Sequence, residues 1–152
     1  MFRNEIHSET RIDGTAAEVW AVLSDFDDYP AWNPGMQKVE GAAEVGTRLS
    51  IAFALNGGRT MKMRPTVLVS DPGHELRWLG RLLLPGIFDG EHRFEIHEDE
   101  PGRVRFVQGE RFRGLLVPFL RKLIEVDTAA TFVAVNEALA ARVIELRAAK
   151  AS

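Results

Sequence analysis

The stretch GEHRFEIHEDEPGRVRFVQGERFR, residues 90–113, alternates between inward and outward residues on both sides of a short turn. In its first half His92, Phe94 and Ile96 fall on one face, between charged neighbours. In its second half the corresponding face takes Val104, Phe106, Gln108, Glu110 and Phe112. Because successive side chains of a strand point to opposite faces, this pattern predicts two strands, and Pro101-Gly102 predicts the turn between them.

Further strands are predicted on the N-terminal side of this hairpin. They are Arg3–Asp13, Met36–Gly41, Thr47–Leu55, Thr60–Ser70 and Glu75–Arg81, which with Gly90–His97 and Arg103–Arg113 make seven. Asn-Gly-Gly at 56–58 and Asp-Pro-Gly at 71–73 are turn signals between neighbours. No segment of helical length interrupts residues 36–113, so we expect consecutive strands to pair antiparallel.

Two short helices are predicted between the first and second strands. Thr15 and Glu18 have the spacing of a capping box, which starts the first helix. Pro30 lies near the first position of the second helix, where proline is tolerated. That helix must end at Asn33-Pro34, because a residue before proline avoids helical conformation.

A long helix is predicted from Leu115 nearly to the end of the chain. Plotted at helical spacing, its inner stripe consists of Phe132, Asn136, Leu139, Val143 and Leu146. The earlier segment Leu116–Leu123 has its apolar centre on nearly the opposite side. One straight helix cannot bury both faces in one core, so we predict a break or kink near Glu125–Thr128. A dimer contact made by the earlier segment is the competing interpretation.

Composition limits the classes of function. The chain has 152 residues, a net charge of −3 and no cysteine, and it is predicted to form a single domain over residues 1–152. Acidic and basic residues are interspersed, so a nucleic-acid partner is not expected. The start lacks the apolar core of a signal peptide, and no apolar run approaches the ~20 residues of a membrane span. A cytoplasmic protein without a membrane span is therefore expected.

The order of these elements favours an α+β fold with an internal cavity. One long helix cannot cover a flat seven-stranded sheet, whereas a sheet curved around the helix would bury the helical stripe. The gap between helix and sheet would leave a hollow lined by inward-facing strand residues.

Several phrases of the sequence resemble a known superfamily. They are EVWAVLSD at 18–25, YPAWNP at 29–34, GEHRF at 90–94 and QGERFRG at 108–114. They are similar to the SRPBCC superfamily, which contains START proteins and birch-pollen-like allergens, and to its polyketide cyclase/dehydrase and lipid-transport branch. The resemblance implies a helix-grip fold with a deep hydrophobic cavity beneath the C-terminal helix.

The candidate ligand-binding residues share an inward position in this arrangement or an aromatic ring able to stack. They are Trp32, Phe53, Met63, Trp78, His92, Phe94, Phe106, Gln108, Glu110, Phe132, Asn136 and Leu139. Glu110 and His92 are the catalytic candidates, because a carboxyl group or imidazole in an apolar interior suits proton transfer. The alternatives are an arginine ion pair or a rim position for Glu110, and a bond to a backbone carbonyl for His92.

The loop Leu82–Phe88 is unusually apolar for a connection between two strands. We predict that it forms a gate over the cavity with Leu84 and Phe88, facing Phe119 of the Leu116–Leu123 segment. A dimer interface is the competing interpretation, since exposed apolar patches often mark contact sites. A homodimer is therefore a possible assembly.

Three hypotheses of function follow. The first is a non-catalytic binder or carrier of a small hydrophobic molecule, such as a lipid, an aromatic polyketide-like compound or an isoprenoid. The second is an aromatase/cyclase or dehydratase that uses the same cavity, and the third is a protein-interaction module. No cofactor or metal is predicted, because the four histidines are scattered and no zinc-ligand spacing or phosphate-binding loop occurs.

Overall fold

The strands and helices of a computed structural model follow the sequence patterns closely. The structure describes residues 4–55, 58–82 and 84–151, except for the side chain of Leu123. The strands are β1 (Glu5–Asp13), β2 (Met36–Glu40), β3 (Ser50–Ala54), β4 (Thr60–Met63), β5 (Thr66–Asp71), β6 (Glu75–Leu82), β7 (Phe88–Glu100) and β8 (Arg103–Arg113). The α-helices are α1 (Ala16–Ser24), α2 (Tyr29–Trp32) and α3 (Ala129–Ala151). Two 3-10 segments (Phe26–Asp28 and Val117–Leu120) and a π segment (Leu123–Thr128) complete the described elements. Part of the predicted 56–58 turn and position 83 of the apolar loop lie outside the described residues.

The strands form two antiparallel sheets with the orders β1-β8-β7-β6-β5 and β2-β3-β4. The prediction of one continuous strand over Thr60–Ser70 is wrong, because the structure has two strands there, β4 and β5. The described residues therefore form eight strands in place of seven. Pro65 divides the predicted strand, because proline has no N–H for the ladder. The Pro65 carbonyl accepts a hydrogen bond from the Leu49 amide (2.7 Å), and a bridge between Arg48 and Thr66 connects the two sheets.

The architecture is the helix-grip α+β fold, a curved antiparallel sheet around a long C-terminal helix. Helix α3 lies against β1 and buries Phe132, Val135, Asn136, Leu139 and Val143. The predicted stripe is therefore confirmed as far as Val143. It is wrong at Leu146, which is partly exposed near the end of the helix.

The predicted interruption of the long helix is present as the π segment Leu123–Thr128. Hydrogen bonds in a π turn join residues five apart, so the direction of the side chains shifts relative to an α-helix. The long helix α3 begins at Ala129, directly after the π segment. The change of winding allows Ile124 to be buried in the core although Phe119, earlier in the chain, is exposed.

Local contacts explain two of the sequence phrases. Thr15 and Glu18 make both hydrogen bonds of the predicted capping box. Asn33 accepts hydrogen bonds at Oδ1 from the amides of Gly35 (2.9 Å) and Met36 (2.8 Å), which fixes the entry into β2. Tyr29 is fully buried and donates to the Leu23 carbonyl, and burial raises the pKa of its hydroxyl above the ordinary range.

The core is divided into two clusters of unequal size. In the larger cluster Trp78, Phe94 and Phe106 pack with residues of α1 and with Phe26. The smaller cluster, at the other end of the sheet, contains Ile6, Phe112, Val117, Ile124 and Phe132. None of the helices within the described ranges is long and apolar enough to cross a membrane.

Candidate functional site

A cavity of about 410 Å³ lies between the three-stranded sheet, strands β7 and β8, and the start of the C-terminal helix. Its apolar lining residues are Met36, Phe53, Ala54, Leu55, Met61, Met63, Phe88, Phe112, Ile124, Phe132 and Val135. Its polar lining side chains are Arg59, His92, Gln108, Glu110, Asp127, Thr128 and Thr131. This volume and this mixture of many apolar walls with a few polar groups are typical of small-molecule sites.

His92, Gln108 and Glu110 form the polar centre of the cavity. Antiparallel pairing of β7 with β8 places His92 opposite Glu110. The His92 Nδ1 atom lies 3.2 Å from Glu110 Oε1, and its Nε2 atom lies 2.9 Å from Gln108 Oε1. His92 is 2% exposed and the Glu110 side chain 16%. The carboxyl group therefore lies at the border between the buried imidazole and the cavity.

The orientation of the Gln108 amide is fixed by a backbone group. Its Nε2 atom lies 3.3 Å from the Phe132 carbonyl, which can only accept a hydrogen bond, and 2.7 Å from Asn136 Oδ1. Asn136 in turn donates from Nδ2 to the Ser8 hydroxyl at 3.0 Å. Gln108 Oε1 must therefore accept from His92, which places a proton on Nε2.

This chain of hydrogen bonds determines how a proton is held at the cavity. With Nε2 protonated, a neutral imidazole presents the lone pair of Nδ1 to Glu110. A hydrogen bond at this distance of 3.2 Å between Nδ1 and Glu110 Oε1 requires a proton on one of the two atoms. Among the described residues, only His92 hydrogen-bonds to the Glu110 carboxyl group. The His92–Glu110 pair is thus a proton-holding group at the cavity wall.

Comparison with known proteins places this cavity in a family context. A sequence profile described as "Polyketide cyclase / dehydrase and lipid transport" matches residues 3–144. The chain belongs to this family. No significant match was found among curated proteins.

Solved structures of the family's fold are similar over nearly the whole chain. The Zhui aromatase/cyclase of a Streptomyces species has a TM-score of 0.76 and 17% identity, with 91% of this chain and 92% of that one covered. A START superfamily protein of Mycobacterium smegmatis has a TM-score of 0.74 and 20% identity, and the match covers 93% of this chain and 98% of that one. A norcoclaurine synthase point mutant of Thalictrum flavum has a TM-score of 0.72 and 17% identity, and the match covers 94% of this chain and 95% of that one. At these identities the similarity shows the shared fold.

Half of the predicted ligand-binding residues line the cavity of this family member. These are Phe53, Met63, His92, Gln108, Glu110 and Phe132. The arginine ion pair considered for Glu110 and the backbone-carbonyl bond considered for His92 are not found among the described residues, whereas a rim position for Glu110 is compatible with its 16% exposed side chain. Glu110 has a histidine and not an arginine as its partner, and His92 bonds to two side chains and not to a backbone carbonyl.

The other predicted ligand-binding residues are inward-facing or partly buried but do not line the cavity. They are Trp32, Trp78, Phe94, Phe106, Asn136 and Leu139. The ring centroid of Trp78 lies 6.3 Å from that of Phe26 and 5.2 Å from that of Phe94. Side chains of the protein therefore fill the space over this half of the sheet. Trp32 packs edge-on against Tyr29, and Asn136 lies behind Gln108.

One of the three predicted gate residues lines the cavity. Phe88 lines the cavity, whereas Leu84 and Phe119 do not and are 69% and 83% exposed. The loop does contact the start of the predicted segment, since the amides of Leu115 and Leu116 donate to the carbonyls of Gly86 and Ile87 (3.0 Å each). Whether the loop moves as a gate stays a prediction.

Sequence patterns did not identify several residues that line the cavity on the helical side. Ile124, Thr128, Thr131 and Val135 follow one another at spacings of four, three and four residues, which is one helical stripe. This spacing was visible in the sequence, but its two threonines masked an apolar pattern. Asp127 also lines the cavity, beside Thr128. The opposed apolar faces of the sequence predicted an interruption at this position but not its π winding.

Proposed function

We propose that the protein binds a small, largely apolar molecule in the 410 Å³ cavity, and that the His92–Glu110 pair holds an oxygen atom of that molecule. The observation that carries the proposal is the combination of a mostly apolar wall with one convergent polar centre. An apolar wall supplies affinity, whereas a few placed polar groups supply orientation.

The chemistry of the polar groups narrows the kind of ligand. A polar group that a ligand covers without offering it a partner costs about 1–3 kcal/mol. Glu110 contacts His92 through one oxygen, but a pure hydrocarbon would still remove water from its second oxygen and from the Asp127 carboxyl group, and would bind poorly. A ligand with hydroxyl or carbonyl groups on an apolar ring system would satisfy them. Family membership supports this class, as do the aromatase/cyclase and norcoclaurine synthase names of two structural relatives.

A dye titration tests the proposal. Nile red fluorescence should increase on binding to the wild-type protein with a Kd of roughly micromolar order. Thr131→Trp places an indole in the cavity from α3 and should raise that Kd by at least about tenfold. Val133→Trp is the matched control, because Val133 lies two residues away on the same helix and is exposed.

Two results would contradict the proposal. One is the absence of saturable dye binding to the wild-type protein. The other is an equal effect of Thr131→Trp and Val133→Trp, which would locate the dye outside the cavity. Thermal unfolding of both variants checks that each is folded.

A second function, proton transfer on the bound molecule, is favoured by the proton between His92 and Glu110. The carboxyl group faces the cavity, and the imidazole behind it can accept or return a proton as the charge on the ligand changes. Such a pair suits dehydration or cyclisation chemistry on a carbonyl-containing chain.

Identification of bound molecules distinguishes a binder from an enzyme. Wild-type protein and Glu110→Gln are isolated from the same cells, extracted with organic solvent and compared by mass spectrometry. A binder yields the same molecule from both proteins. An enzyme yields an unreacted precursor only from Glu110→Gln, because that variant retains the cavity but lacks the acidic proton.

A further inference from the structure

A basic and apolar surface lies beside the cavity, formed by Leu84, Leu115 and Phe119 together with Arg113 and Lys122. Its three apolar side chains are 69%, 73% and 83% exposed. Residues 111–122 contain four basic residues and no acidic one, in a chain whose net charge is −3. Arg113 and Lys122 are exposed and form no ion pair with any described residue.

Backbone contacts hold the two parts of this surface together. Gly86 and Ile87 accept hydrogen bonds from Leu115 and Leu116, so the loop that carries Leu84 is joined to the segment that carries Phe119. Gly114 has a φ of +131°, and a Cβ atom there would clash with the Ile87 carbonyl. The close approach of the two chains therefore requires glycine at this position.

The remaining charges nearby do not neutralise the surface. Asp89 stands opposite Arg113 in the β7–β8 ladder, but its Oδ2 atom lies 3.9 Å from Arg81 Nε and accepts from the Gly86 amide (3.3 Å). Glu125 pairs with Arg121 at 3.3 Å. The two acidic residues therefore already have basic partners. Arg113 and Lys122 add two further positive charges beside the exposed leucines and phenylalanine.

We propose that this basic and apolar surface docks onto an anionic lipid bilayer. Exposed Leu and Phe side chains enter the boundary between headgroups and acyl chains, while Arg and Lys side chains bind anionic headgroups. Each of the three apolar side chains is more than two-thirds exposed, so all of them are free to enter a fluid interface. A two-fold dimer through this surface would bring Arg113 and Lys122 of both copies, four cations in all, into one interface, and like charges oppose such contacts.

The surface adjoins the cavity along the chain. Phe88, at the end of the apolar loop, and Ile124, two residues after Lys122, both line the cavity. Docking would therefore bring the cavity wall next to the membrane, from which an apolar ligand could enter. The docking itself does not depend on which molecule the cavity binds.

Vesicle co-sedimentation tests the proposal with the full-length chain. The probes are vesicles of phosphatidylcholine with about one-third phosphatidylglycerol and vesicles of phosphatidylcholine alone. We expect binding to the anionic vesicles, which added salt weakens by screening. Leu115→Ser/Phe119→Ser should abolish binding, and its matched control is Val45→Ser/Ile144→Ser, which alters two exposed apolar residues elsewhere.

Charge variants measure the electrostatic part. Each cation removed near an anionic membrane should weaken binding about fivefold, so Arg113→Gln/Lys122→Gln should weaken it on the order of 30-fold. Its control is Arg48→Gln/Lys62→Gln, an exposed arginine and lysine outside the surface. Thr131→Trp should bind vesicles like the wild type, so a failure of ligand binding in the cavity leaves this test intact.

Three results would overturn the proposal. The first is the absence of wild-type binding to anionic vesicles. The second is equal weakening in the control variants. The third is a dimer, detected by light scattering, that Leu115→Ser/Phe119→Ser converts to a monomer while neither protein binds vesicles.

Discussion

The amide of Gln108 fixes the orientation of the histidine beside it at the cavity wall. Because its Nε2 atom donates to the Phe132 carbonyl and to Asn136, its oxygen is left to accept from His92. The imidazole is thereby held in one tautomer, with Nδ1 directed at Glu110. Gln108 is completely buried and acts by positioning His92.

Replacing Gln108 with leucine should lower the free energy of unfolding by about 3 kcal/mol. The substitution leaves His92 Nε2–H and Asn136 Oδ1 without their partner in a buried place. Gln37→Leu, on an exposed position of β2, should change stability by less than about 0.5 kcal/mol. Urea unfolding measures both variants, and equal effects would mean that the buried network contributes little.

Replacing Glu110 with glutamine should be nearly neutral for stability, within about 1 kcal/mol. The new amide can donate to His92 Nδ1 as the shared proton does, whereas Glu110→Leu cannot and should cost about 1–3 kcal/mol. Urea unfolding of the two variants compares them. A glutamine variant as unstable as the leucine variant would show that the pair is an imidazolium and a carboxylate, with the proton on His92.

At the scale of elements, the start of α1 is stabilised by two carboxylates. The Thr15 amide donates to Glu18, and the Ala16 and Gly102 amides donate to Glu98. These backbone hydrogen bonds hold the pKa of both carboxyl groups below the ordinary range. They favour the charged form in the folded state, as expected for anions at a helix N-terminus.

The pH dependence of stability follows from the direction of these shifts. A carboxyl group whose pKa is lower in the folded state stabilises the fold above its unfolded pKa, about 4.3, and loses this effect as the pH falls through the folded value. Glu18→Gln/Glu98→Gln should therefore be less stable than the wild type at pH 7, and the difference should shrink below about pH 4. Urea unfolding at several pH values measures it, and a constant difference would contradict the assignment.

Elements were predictable from the sequence where one local rule decided them. Alternation along residues 90–113 placed His92, Gln108 and Glu110 on the inner face, and the Thr15–Glu18 spacing gave the first helix. The division of Thr60–Ser70 at Pro65 had a visible signal, since proline interrupts a ladder. The opposed apolar faces predicted an interruption near Glu125–Thr128, but the π winding that makes it had no signal, because it depends on packing against the rest of the fold.

At the scale of the whole molecule, facing inward and lining the cavity are different properties. Trp78, Phe94 and Phe106 face inward like His92, but side chains from α1 and the following 3-10 segment fill the space in front of them. Which half of the sheet stays open is decided by how α1 and the 3-10 segment, which are far from β6–β8 in the sequence, pack against it. Alternation along a strand carries no information about that packing, so six of the twelve predicted ligand-binding residues do not line the cavity.

The cavity is also the feature whose filling is easiest to observe directly. Three of the four methionines, Met36, Met61 and Met63, line it. Methionine side chains are flexible and polarizable, and their methyl groups report contact with an aromatic ring. Leu68→Met adds a reporter on β5 at a partly exposed position outside the cavity lining.

The most direct test is an NMR titration with a naphthol as the probe. The protein is labelled with ¹³C at its methionine methyl groups. The account predicts that the signals of Met36, Met61 and Met63 shift together with a single Kd, while the signal of the methionine added by Leu68→Met stays in place. Unchanged signals from all three cavity methionines at saturating probe, or shifts only at the exterior reporter, would contradict it.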